Sequence, residues 1–387
     1  MTSSALPLTT AIIGCGVIGR THVDAVLHLK EQLTLTALVD VSTDRAEALA
    51  AVVEERTGVR PAIFASVHDL VAADAPQLVV VATPSGLHVE QAVVALEAGA
   101  HVLIEKPLDV DLVRARRLAE AAKVAAARGQ VCSIISQHRF DPSSQIVHAA
   151  VENGSFGRVT SGVATVPWWR SQDYYDSGDW RGTWALDGGG ALMNQGVHTV
   201  DLLLWFLGRP VTVAAEIALL AHEGVEVEDT AVATVAFDSG ALAVLHATTA
   251  GYPGLTVRLQ VLGSRGSAVI DADKLEYIHI ADETGSADMG LQGGGNQADR
   301  YGDTETADGV DATRFTLGHV RQYDDLLAAI TEGREPLLTV DSAVLALATV
   351  RAVYISAILG RRVRIDDVIA GEYDELTLEV PVTEVPV

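Results

Sequence analysis

The sequence predicts an α/β protein with a doubly wound parallel sheet in its amino-terminal domain and a second domain rich in strands. Two observations predict the first domain: short apolar runs alternate with longer amphipathic segments from Thr9 onward, and the first run leads directly into a glycine-rich turn. The second domain is predicted because the pattern from about residue 158 changes to closely spaced runs of alternating polarity.

Length and composition indicate a globular protein with more than one domain. The chain has 387 residues, of which 49% are hydrophobic and 20% charged. Its formal charge of −24 repels the phosphate backbone, so we expect no nucleic-acid partner. No secretory pattern precedes the first strand, and the most apolar segment, residues 343–360, contains Arg351. We therefore expect a cytoplasmic protein with no membrane partner.

A G-x-G-x-x-G motif joins the first predicted strand, residues 11–13, to a helical pattern that ends near residue 30. Gly14 permits the tight turn, Gly16 lets the backbone approach a pyrophosphate, and Gly19 allows the helix to pack closely on the strand. The helix start at Val17 and Ile18 offers N–H groups to phosphates. This context predicts a Rossmann domain that binds a dinucleotide.

The second predicted strand, residues 33–39, ends in Asp40, 21 residues after Gly19. The dinucleotide fingerprint has an acid at this place, which binds the ribose hydroxyls. Because an anionic Asp40 repels a 2′-phosphate, we expect NAD as the cofactor and NADP less readily. NADP remains an alternative, since the side chain of Arg45 could fold back toward the same site and weaken the preference for NAD.

Two further strands, near residues 77–82 and 101–104, should deliver side chains to the same edge of the sheet. The carboxyl ends of parallel strands meet at one edge, where ligands of open α/β folds bind. His88 begins the next helix. Its side chain either caps the helix start or packs at the edge of the helix, or, as the alternative, contacts the cofactor directly. The residues expected at this edge are Thr83, Pro84, His88, Glu105 and Lys106.

We expect the first domain to span residues 1–136 and the second to span residues 137–387. Just after this boundary, Arg139 either lies near the cleft between the domains or anchors one domain to the other. Helices are predicted near 317–330 and 340–360, a long mobile loop at 283–309, and an acidic tail from Asp366. Strands of the second domain are predicted at 163–167, 211–220, 231–237, 241–249 and 255–262.

Residues 168–184 contain four of the five tryptophans of the chain. Aromatic faces stack on the C–H faces of sugar rings, while Arg, Asp and Tyr side chains bind hydroxyls, so this segment suits a carbohydrate pocket. A hydrophobic cover or an oligomer contact is the alternative. The candidate substrate-binding residues are Trp168, Arg170, Tyr174, Asp179 and Trp180.

Together these motifs resemble the Gfo/Idh/MocA family of glucose-fructose and inositol dehydrogenase-like oxidoreductases. The resemblance is carried by the glycine turn, by Ala82-Thr83-Pro84 with His88, by Glu105-Lys106-Pro107, and by the stretch from Gly188 to Asp201 with its H-x-x-D motif. It implies a second domain built on a large open mixed, mainly antiparallel sheet. It also implies a homodimer or homotetramer formed through that sheet, and NAD(P)-dependent hydride transfer at a carbon of a sugar, inositol or related polyol.

The resemblance also implies roles for single residues. Lys106 matches the active-site lysine of the family, followed by a cis peptide bond to Pro107, and His198 matches its catalytic histidine. Many members have an aspartate four residues before the histidine, where this chain has Asn194. An amide carries no charge, so an acid that orients His198 must come from elsewhere. Asp201 is one candidate, and the alternative is that it forms an ion pair.

Other chemistries find less support in the sequence. No metal-ligand spacing occurs, and Cys15 and Cys132 are too few for a cysteine-based zinc site, so we expect no metal. Two cysteines are also too few for a disulfide framework, and we expect both to be reduced. A keto-sugar or nucleotide-sugar reductase, an enzyme that retains NAD to drive elimination or glycosidic cleavage, and a non-catalytic dinucleotide-sensing regulator remain as alternatives. His198 could also be a core histidine without a catalytic role.

Overall fold

The computed structural model describes residues 6–282, 295–302 and 312–380. Most of the loop predicted at 283–309, and the last seven residues of the acidic tail, therefore lie outside the described residues. The chain divides into two compact units: Met1–Gln137 with Ala312–Val344, and His138–Asp311 with Leu345–Val387. This division differs from the single predicted boundary after residue 136, because residues 312–344 group with the first unit.

In the first unit, strands and helices alternate along the chain. Asp111 shows how the sequence sets helix boundaries, since its side chain accepts a hydrogen bond from the backbone N–H of Arg114 and caps the helix that follows it. The elements are β1 (Leu8–Ile13), α1 (Val17–His28), β2 (Leu33–Val39), α2 (Thr43–Thr57), β3 (Ala62–Phe64), α3 (Val67–Ala73), β4 (Leu78–Val81), α4 (His88–Glu97), β5 (His101–Ile104), α5 (Leu112–Ala126) and β6 (Cys132–Ile134).

These strands form a six-stranded parallel sheet in the order β3-β2-β1-β4-β5-β6 within the described residues. This is the strand order of a Rossmann domain, and it confirms the predicted fold. The order reverses between β1 and β4, so the turns that follow these two strands open a crevice at the carboxyl edge of the sheet. The short helix α3 was not predicted from the sequence.

The second unit contains most of the remaining elements. They are α6 (Pro142–Glu152), β7 (Val159–Pro167), α7 (Gln172–Asp176), α8 (Val197–Leu207), β8 (Pro210–Ala218), β9 (Thr230–Phe237), β10 (Leu242–Thr248), β11 (Arg258–Gly263), β12 (Gly266–Asp271) and β13 (Lys274–Ile280). Near the end of the chain come α9 (Ala312–Glu332), α10 (Val340–Leu359), β14 (Val363–Arg364) and α11 (Ile365–Ala370). Of these, α9 and the start of α10 group with the first unit.

The sheet of the second unit has eight described strands in the order β13-β12-β11-β7-β10-β9-β8-β14. Among the described strands, β7 and β10 alone pair in parallel, so the sheet is mixed and mainly antiparallel, as expected. The helix α8 packs on β7, where a side chain at Gly162 would collide with Leu203 and Leu207. The strands β12, β13 and β14 were not predicted.

The apolar helix α10 is long and apolar enough to cross a membrane by length and composition alone. Most of its apolar window is buried inside the protein, and its Tyr354 is completely buried. These features are typical of a core helix, and the helix itself agrees with the one predicted near residues 340–360.

A buried carboxylate in front of β9 holds the chain that leads into α8. The side chain of Glu228 accepts hydrogen bonds from the backbone N–H groups of Gly190 at 2.8 Å and Leu192 at 2.9 Å, and from the hydroxyl of Tyr354 at 3.1 Å. Its backbone carbonyl accepts from the N–H of Ala191 at 3.1 Å. Burial raises the pKa of Glu228 to about 7, although the backbone hydrogen bonds act against the rise.

We predict that Glu228 makes the stability of the second unit depend on pH. An acid with a raised pKa in the folded state stabilises the fold at low pH, and it loses that contribution as the pH rises from 4.5 to about 7. The loss amounts to roughly 3 kcal/mol, at about 1.4 kcal/mol per pKa unit. Urea unfolding at several pH values should therefore show a smaller decline over this range in Glu228→Gln than in the wild type.

The exposed Glu223 provides a matched control, because Glu223→Gln removes an acid from the same loop. This variant should keep the pH dependence of the wild type. Identical pH dependence in the wild type and Glu228→Gln would contradict the prediction.

Candidate active site

The glycine turn after β1 has the geometry that close backbone approach requires. Gly14 adopts a φ of +102°, and a Cβ there would lie 2.4 Å from the carbonyl oxygen of Ala82. A Cβ on Gly19 would lie 1.9 Å from the carbonyl oxygen of Gly14, so the helix can pack on the turn only with glycine. Around Gly16 the space is open, and the neighbouring Val17 is 92% exposed. A pyrophosphate therefore has room beside the amino-terminal end of α1.

Asp40 lies at the end of β2 and connects the glycine turn to the start of α2. Its carboxylate accepts hydrogen bonds from the backbone N–H groups of Cys15 and Ser42, both at 2.8 Å, and from Arg45 at 2.7 Å. Burial alone would raise the pKa of Asp40, but these hydrogen bonds outweigh it and hold the pKa below its ordinary value. Arg45 has thus folded back onto Asp40, the movement that the sequence left open.

The turn after β4 carries Thr83, Pro84 and, at the start of α4, His88. The hydroxyl oxygen of Thr83 is buried without a hydrogen-bond partner in the described part of the chain, which leaves it free to bind a ligand. Pro84 is exposed, while His88 is buried. The His88 ring nitrogens lie 2.8 Å from the carbonyl oxygens of Pro107 and Thr83, so this ring links the turns after β4 and β5.

A buried hydrogen-bond network surrounds Glu105, directly before Lys106. One oxygen of Glu105 lies 3.0 Å from Nε2 of His22 and 3.3 Å from Nε2 of His319. The other oxygen accepts the backbone N–H of Lys106 at 3.0 Å. Burial would raise the pKa of Glu105, but the hydrogen bonds from the two imidazoles lower it well below its ordinary value. Glu105 therefore fixes the backbone that carries Lys106.

The sequence did not indicate this network. His22 lies three residues after the last glycine of the turn, and its Nδ1 is 2.9 Å from the hydroxyl of Tyr323. Two imidazoles and a carboxylate could in principle hold a metal ion. Hydrogen bonds to Glu105 and Tyr323 already account for both ring nitrogens of His22, so the described contacts require no metal here.

Lys106 is half-buried at the carboxyl edge of β5. The peptide bond between Lys106 and Pro107 is cis, which confirms the expectation from the resemblance. The strands β1, β4 and β5 are neighbours in the sheet, so the lysine lies at the same edge as the glycine turn and Thr83. The first unit thereby brings together the cofactor-binding residues predicted for it.

In the second unit, one turn of π-helix, Ala191–Gly196, leads into α8. Such turns are rare and often mark functional sites. Asn194 lies in this turn, and its amide nitrogen donates to the buried carboxylate of Asp187 at 2.8 Å. The acid near this turn is therefore Asp187, which contacts Asn194 through a hydrogen bond. No spacing rule in the sequence identifies Asp187.

His198 is half-buried in the first turn of α8. Its ring meets that of His138 edge to face, with centroids 5.1 Å apart. The Nδ1 of His138 lies 2.8 Å from a carboxylate oxygen of Asp141. No signal in the sequence marks His138, the residue before Arg139, as a neighbour of His198.

Asp201, one turn further along α8, forms an ion pair with Arg139. The Nε and Nη2 atoms of Arg139 donate to the two carboxylate oxygens of Asp201 at 2.7 and 2.6 Å, and both residues are buried. Of the two alternatives for Asp201, the structure contains the ion pair. Because Arg139 and Asp201 belong to the same unit, this pair links α8 to the segment before α6 within the second unit.

The aromatic segment 168–184 follows β7. Trp168 is 40% exposed, and Arg170, Tyr174 and Trp180 are half-buried. Asp179 is exposed to solvent. The backbone N–H of Gly182 donates at 2.9 Å to the oxygen of Asp187 that Asn194 does not use.

These features fit a nicotinamide dinucleotide in the first unit. Gly16 leaves open space, Thr83 offers an unpaired buried hydroxyl, and Asp40 supplies an anionic carboxylate at the end of β2. Arg45 is already paired with Asp40 and would have to leave it to bind a 2′-phosphate. The donor set therefore suits NAD.

Comparison with known proteins agrees with this geometry. Residues 8–133 match a model described as "Oxidoreductase family, NAD-binding Rossmann fold", and residues 144–269 match one described as "GFO/IDH/MocA C-terminal domain". The chain is 31% identical to the myo-inositol dehydrogenase Hyg17 of Streptomyces leeuwenhoekii over 76% of this chain and 82% of that protein. It is 28% identical to myo-inositol 2-dehydrogenase of Thermotoga maritima over 71% of this chain and 78% of that protein.

Among solved structures, the chain resembles the WlbA dehydrogenase from Bordetella pertussis in complex with NADH and UDP-GlcNAcA. The TM-score is 0.77 at 30% sequence identity, and the match covers 92% of this chain and 98% of that chain. Both halves of the chain and its cofactor site thus agree with one assignment. The chain belongs to the Gfo/Idh/MocA family and is an NAD-binding oxidoreductase.

Proposed function

We propose that this protein is a dehydrogenase that oxidises a hydroxyl-bearing carbon of a sugar, inositol or related polyol, with Lys106 and His198 as its catalytic residues. The observation that carries this proposal is the placement of Lys106. Its backbone is fixed by Glu105 at the edge of the sheet that also carries the glycine turn and Thr83. The relatives named as inositol dehydrogenases support the substrate class.

Besides binding the cofactor, the protein must stabilise charge on the substrate oxygen and accept the hydroxyl proton. NAD, when bound, supplies the acceptor for the hydride that leaves the substrate carbon. The ammonium group of Lys106 donates a hydrogen bond to the substrate oxygen and stabilises negative charge there as the C–H bond breaks. His198 accepts the hydroxyl proton, so that a carbonyl forms and the atoms balance.

The second unit supports the role of His198 in two ways. The buried Glu228 fixes the backbone at Gly190 and Leu192, and Asp187 fixes the side chain of Asn194. The ring of His138 packs against the ring of His198. A fixed imidazole loses little entropy when it binds the reacting hydroxyl.

We also propose that the protein is cytoplasmic and forms a homodimer or homotetramer through the sheet of the second unit. Support comes from three apolar side chains exposed on neighbouring strands: Val232 at 47%, Leu242 at 61% and Val244 at 42%. An apolar patch on a sheet face is typical of protein–protein interfaces.

The first prediction from this proposal concerns turnover. His198→Asn should lower kcat about 10²- to 10⁴-fold, because it removes the proton acceptor. Lys106→Met should lower kcat about 10²- to 10³-fold, because it removes the charge that stabilises the developing oxyanion. The measurement is NADH absorbance with a panel of inositols, aldoses, glycosides and nucleotide sugars.

Matched controls are His68→Asn and Lys30→Met, since both residues are exposed on the first unit. These variants should keep the activity of the wild type, and NADH binding by His198→Asn, measured by fluorescence, should also be unchanged. The assignment of His198 fails if His198→Asn loses thermal stability while turnover per folded molecule stays the same. No NADH formation by the wild type across the panel, combined with tight NAD binding, would favour a dinucleotide-sensing regulator.

The second prediction concerns the choice of cofactor. Asp40→Ser combined with Val41→Arg should raise the preference for NADP over NAD about tenfold or more, since each 1.4 kcal/mol corresponds to a factor of ten. The substitution releases Arg45 and adds a cation at a position that is exposed in the wild type. The measurement is the dissociation constant of NADH and of NADPH.

Asp40→Asn removes the negative charge of Asp40 but keeps the shape of its side chain. The remaining oxygen can still accept the N–H of Cys15 or Ser42. Asp44→Ser, which removes an exposed acid at the start of α2, is the control. If the double variant prefers NADH as strongly as the wild type does, Asp40 does not determine cofactor choice.

A further inference from the structure

Two arginines of the aromatic segment share one aromatic ring. The Cζ atom of Arg170 lies 4.5 Å from the ring centroid of Tyr174, and that of Arg181 lies 4.1 Å from the same centroid. Arg170 also lies over Trp168 at 5.1 Å, and Arg181 over Trp180 at 4.5 Å. We call Arg170, Tyr174 and Arg181 the arginine cluster.

Neither arginine has a carboxylate partner within the part of the chain that the structure describes. The Nε of Arg181 donates only to the hydroxyl of Ser177, at 3.1 Å. The Nε of Arg170 is buried and has no hydrogen-bond partner among the described residues. A buried donor without a partner loses its hydrogen bond to water and gains none in return, so an unpaired one needs an explanation.

This arrangement is unusual for so acidic a chain, which has 51 Asp and Glu residues against 27 Lys and Arg. Other arginines, among them Arg45, Arg114 and Arg139, pair with carboxylates at 2.6–2.7 Å. Asp173, Asp176 and Asp179 lie in the same segment as the cluster, yet none forms an ion pair with it. Two cations therefore contact the same ring without a neutralising group, and an anion placed between them would relieve their repulsion.

Stacking on aromatic rings also prepares the guanidinium groups to bind an anion. A guanidinium over a ring keeps its N–H groups in the plane of the fork, where they can bind a carboxylate or a phosphate with two hydrogen bonds. Cation–π attraction to the rings favours one orientation of each guanidinium group. The exposed Trp168 offers an apolar face for a sugar ring beside the anion.

The cluster is connected to the turn that precedes His198. Gly182, next to Arg181, donates its N–H to Asp187, and Asp187 accepts the amide of Asn194 through its other oxygen. The backbone of Arg170 is held on both sides, since its N–H donates to Thr249 and its carbonyl oxygen lies 2.9 Å from Nε2 of His222. A substrate bound by the cluster would therefore be held by the same framework as His198.

We propose that the arginine cluster binds an acidic group of the substrate, either a carboxylate or a phosphate, so that the enzyme acts on acidic sugars in preference to neutral ones. This inference rests on the proposed dehydrogenase function and narrows its substrate class. In this role Arg170 and Arg181 anchor the substrate away from the reacting carbon. Their loss should affect substrate binding more than the chemical step.

The test first measures binding, without turnover. The NADH-bound enzyme is titrated with glucose, glucuronate, glucose 6-phosphate and UDP-glucose, with intrinsic tryptophan fluorescence as the readout, because Trp168 and Trp180 contact the arginines. We expect at least one acidic ligand to bind about tenfold or more tightly than glucose, as one charge-assisted hydrogen bond warrants. The glucuronate arm tests a carboxylate, and the other two acidic arms test phosphate groups.

Arg170→Gln and Arg181→Gln should each weaken the acidic ligand about tenfold or more and leave the affinity for glucose unchanged. Arg209→Gln is the control, because Arg209 is an exposed arginine paired with Asp366 on the second unit. Arg170→Lys tests the planar fork, and it should recover only part of the affinity. Thermal unfolding of each variant verifies that it is folded.

Two outcomes would overturn the inference: acidic ligands bind no more tightly than glucose, or the arginine variants weaken both kinds of ligand equally. Steady-state kinetics separates the inference from the proposed function. If acidic sugars bind through the arginines but no sugar yields NADH, the dehydrogenase proposal fails and the anion site stands. If sugars or inositols are oxidised and the KM for acidic sugars is the same in Arg170→Gln and Arg181→Gln as in the wild type, the anion site fails and the dehydrogenase stands.

Discussion

Four buried carboxylates accept backbone N–H groups from segments on which the site depends, and they hold those segments in place. Turns at the edge of a sheet lose the ladder partners of their N–H groups, and a buried N–H without an acceptor is costly. In this protein, acidic side chains replace the acceptors that these N–H groups lose. Asp40 accepts from the backbone N–H groups of Cys15 and Ser42, and Glu105 accepts from that of Lys106. Asp187 accepts from Gly182, and Glu228 accepts from Gly190 and Leu192. Some of the acidic residues of the chain therefore stabilise its interior, where they accept backbone hydrogen bonds.

The first unit could be predicted from its sequence almost completely, because its signals are local. The glycine spacing, the acid after β2 and the Glu-Lys-Pro after β5 each follow directly from a strand, and the observed strand order places all three at one edge. The network around Glu105 could not be predicted in this way. Its histidines lie 83 and 214 residues from Glu105, and no periodicity connects positions so far apart.

In the second unit, the sequence predicted five strands and the H-x-x-D helix but not the support of His198. The substitution of aspartate by Asn194 suggested that an acid must act from elsewhere, and Asp201 was the nearest in sequence. The structure pairs Asp201 with Arg139 and places Asp187 against Asn194. Choosing between these acids requires knowing that the loop after β7 returns to the π-helical turn, which depends on tertiary contacts.

The catalytic roles that we propose for Lys106 and His198 require both side chains to bind one oxygen of the substrate. The most direct measurement is a crystal structure of the enzyme with NADH and a bound sugar or polyol. We expect Nζ of Lys106 and a ring nitrogen of His198 each to lie within hydrogen-bond reach, ~2.6–3.2 Å, of one substrate oxygen. A complex in which either atom lies beyond about 6 Å from that oxygen, with no bridging water, would contradict these roles.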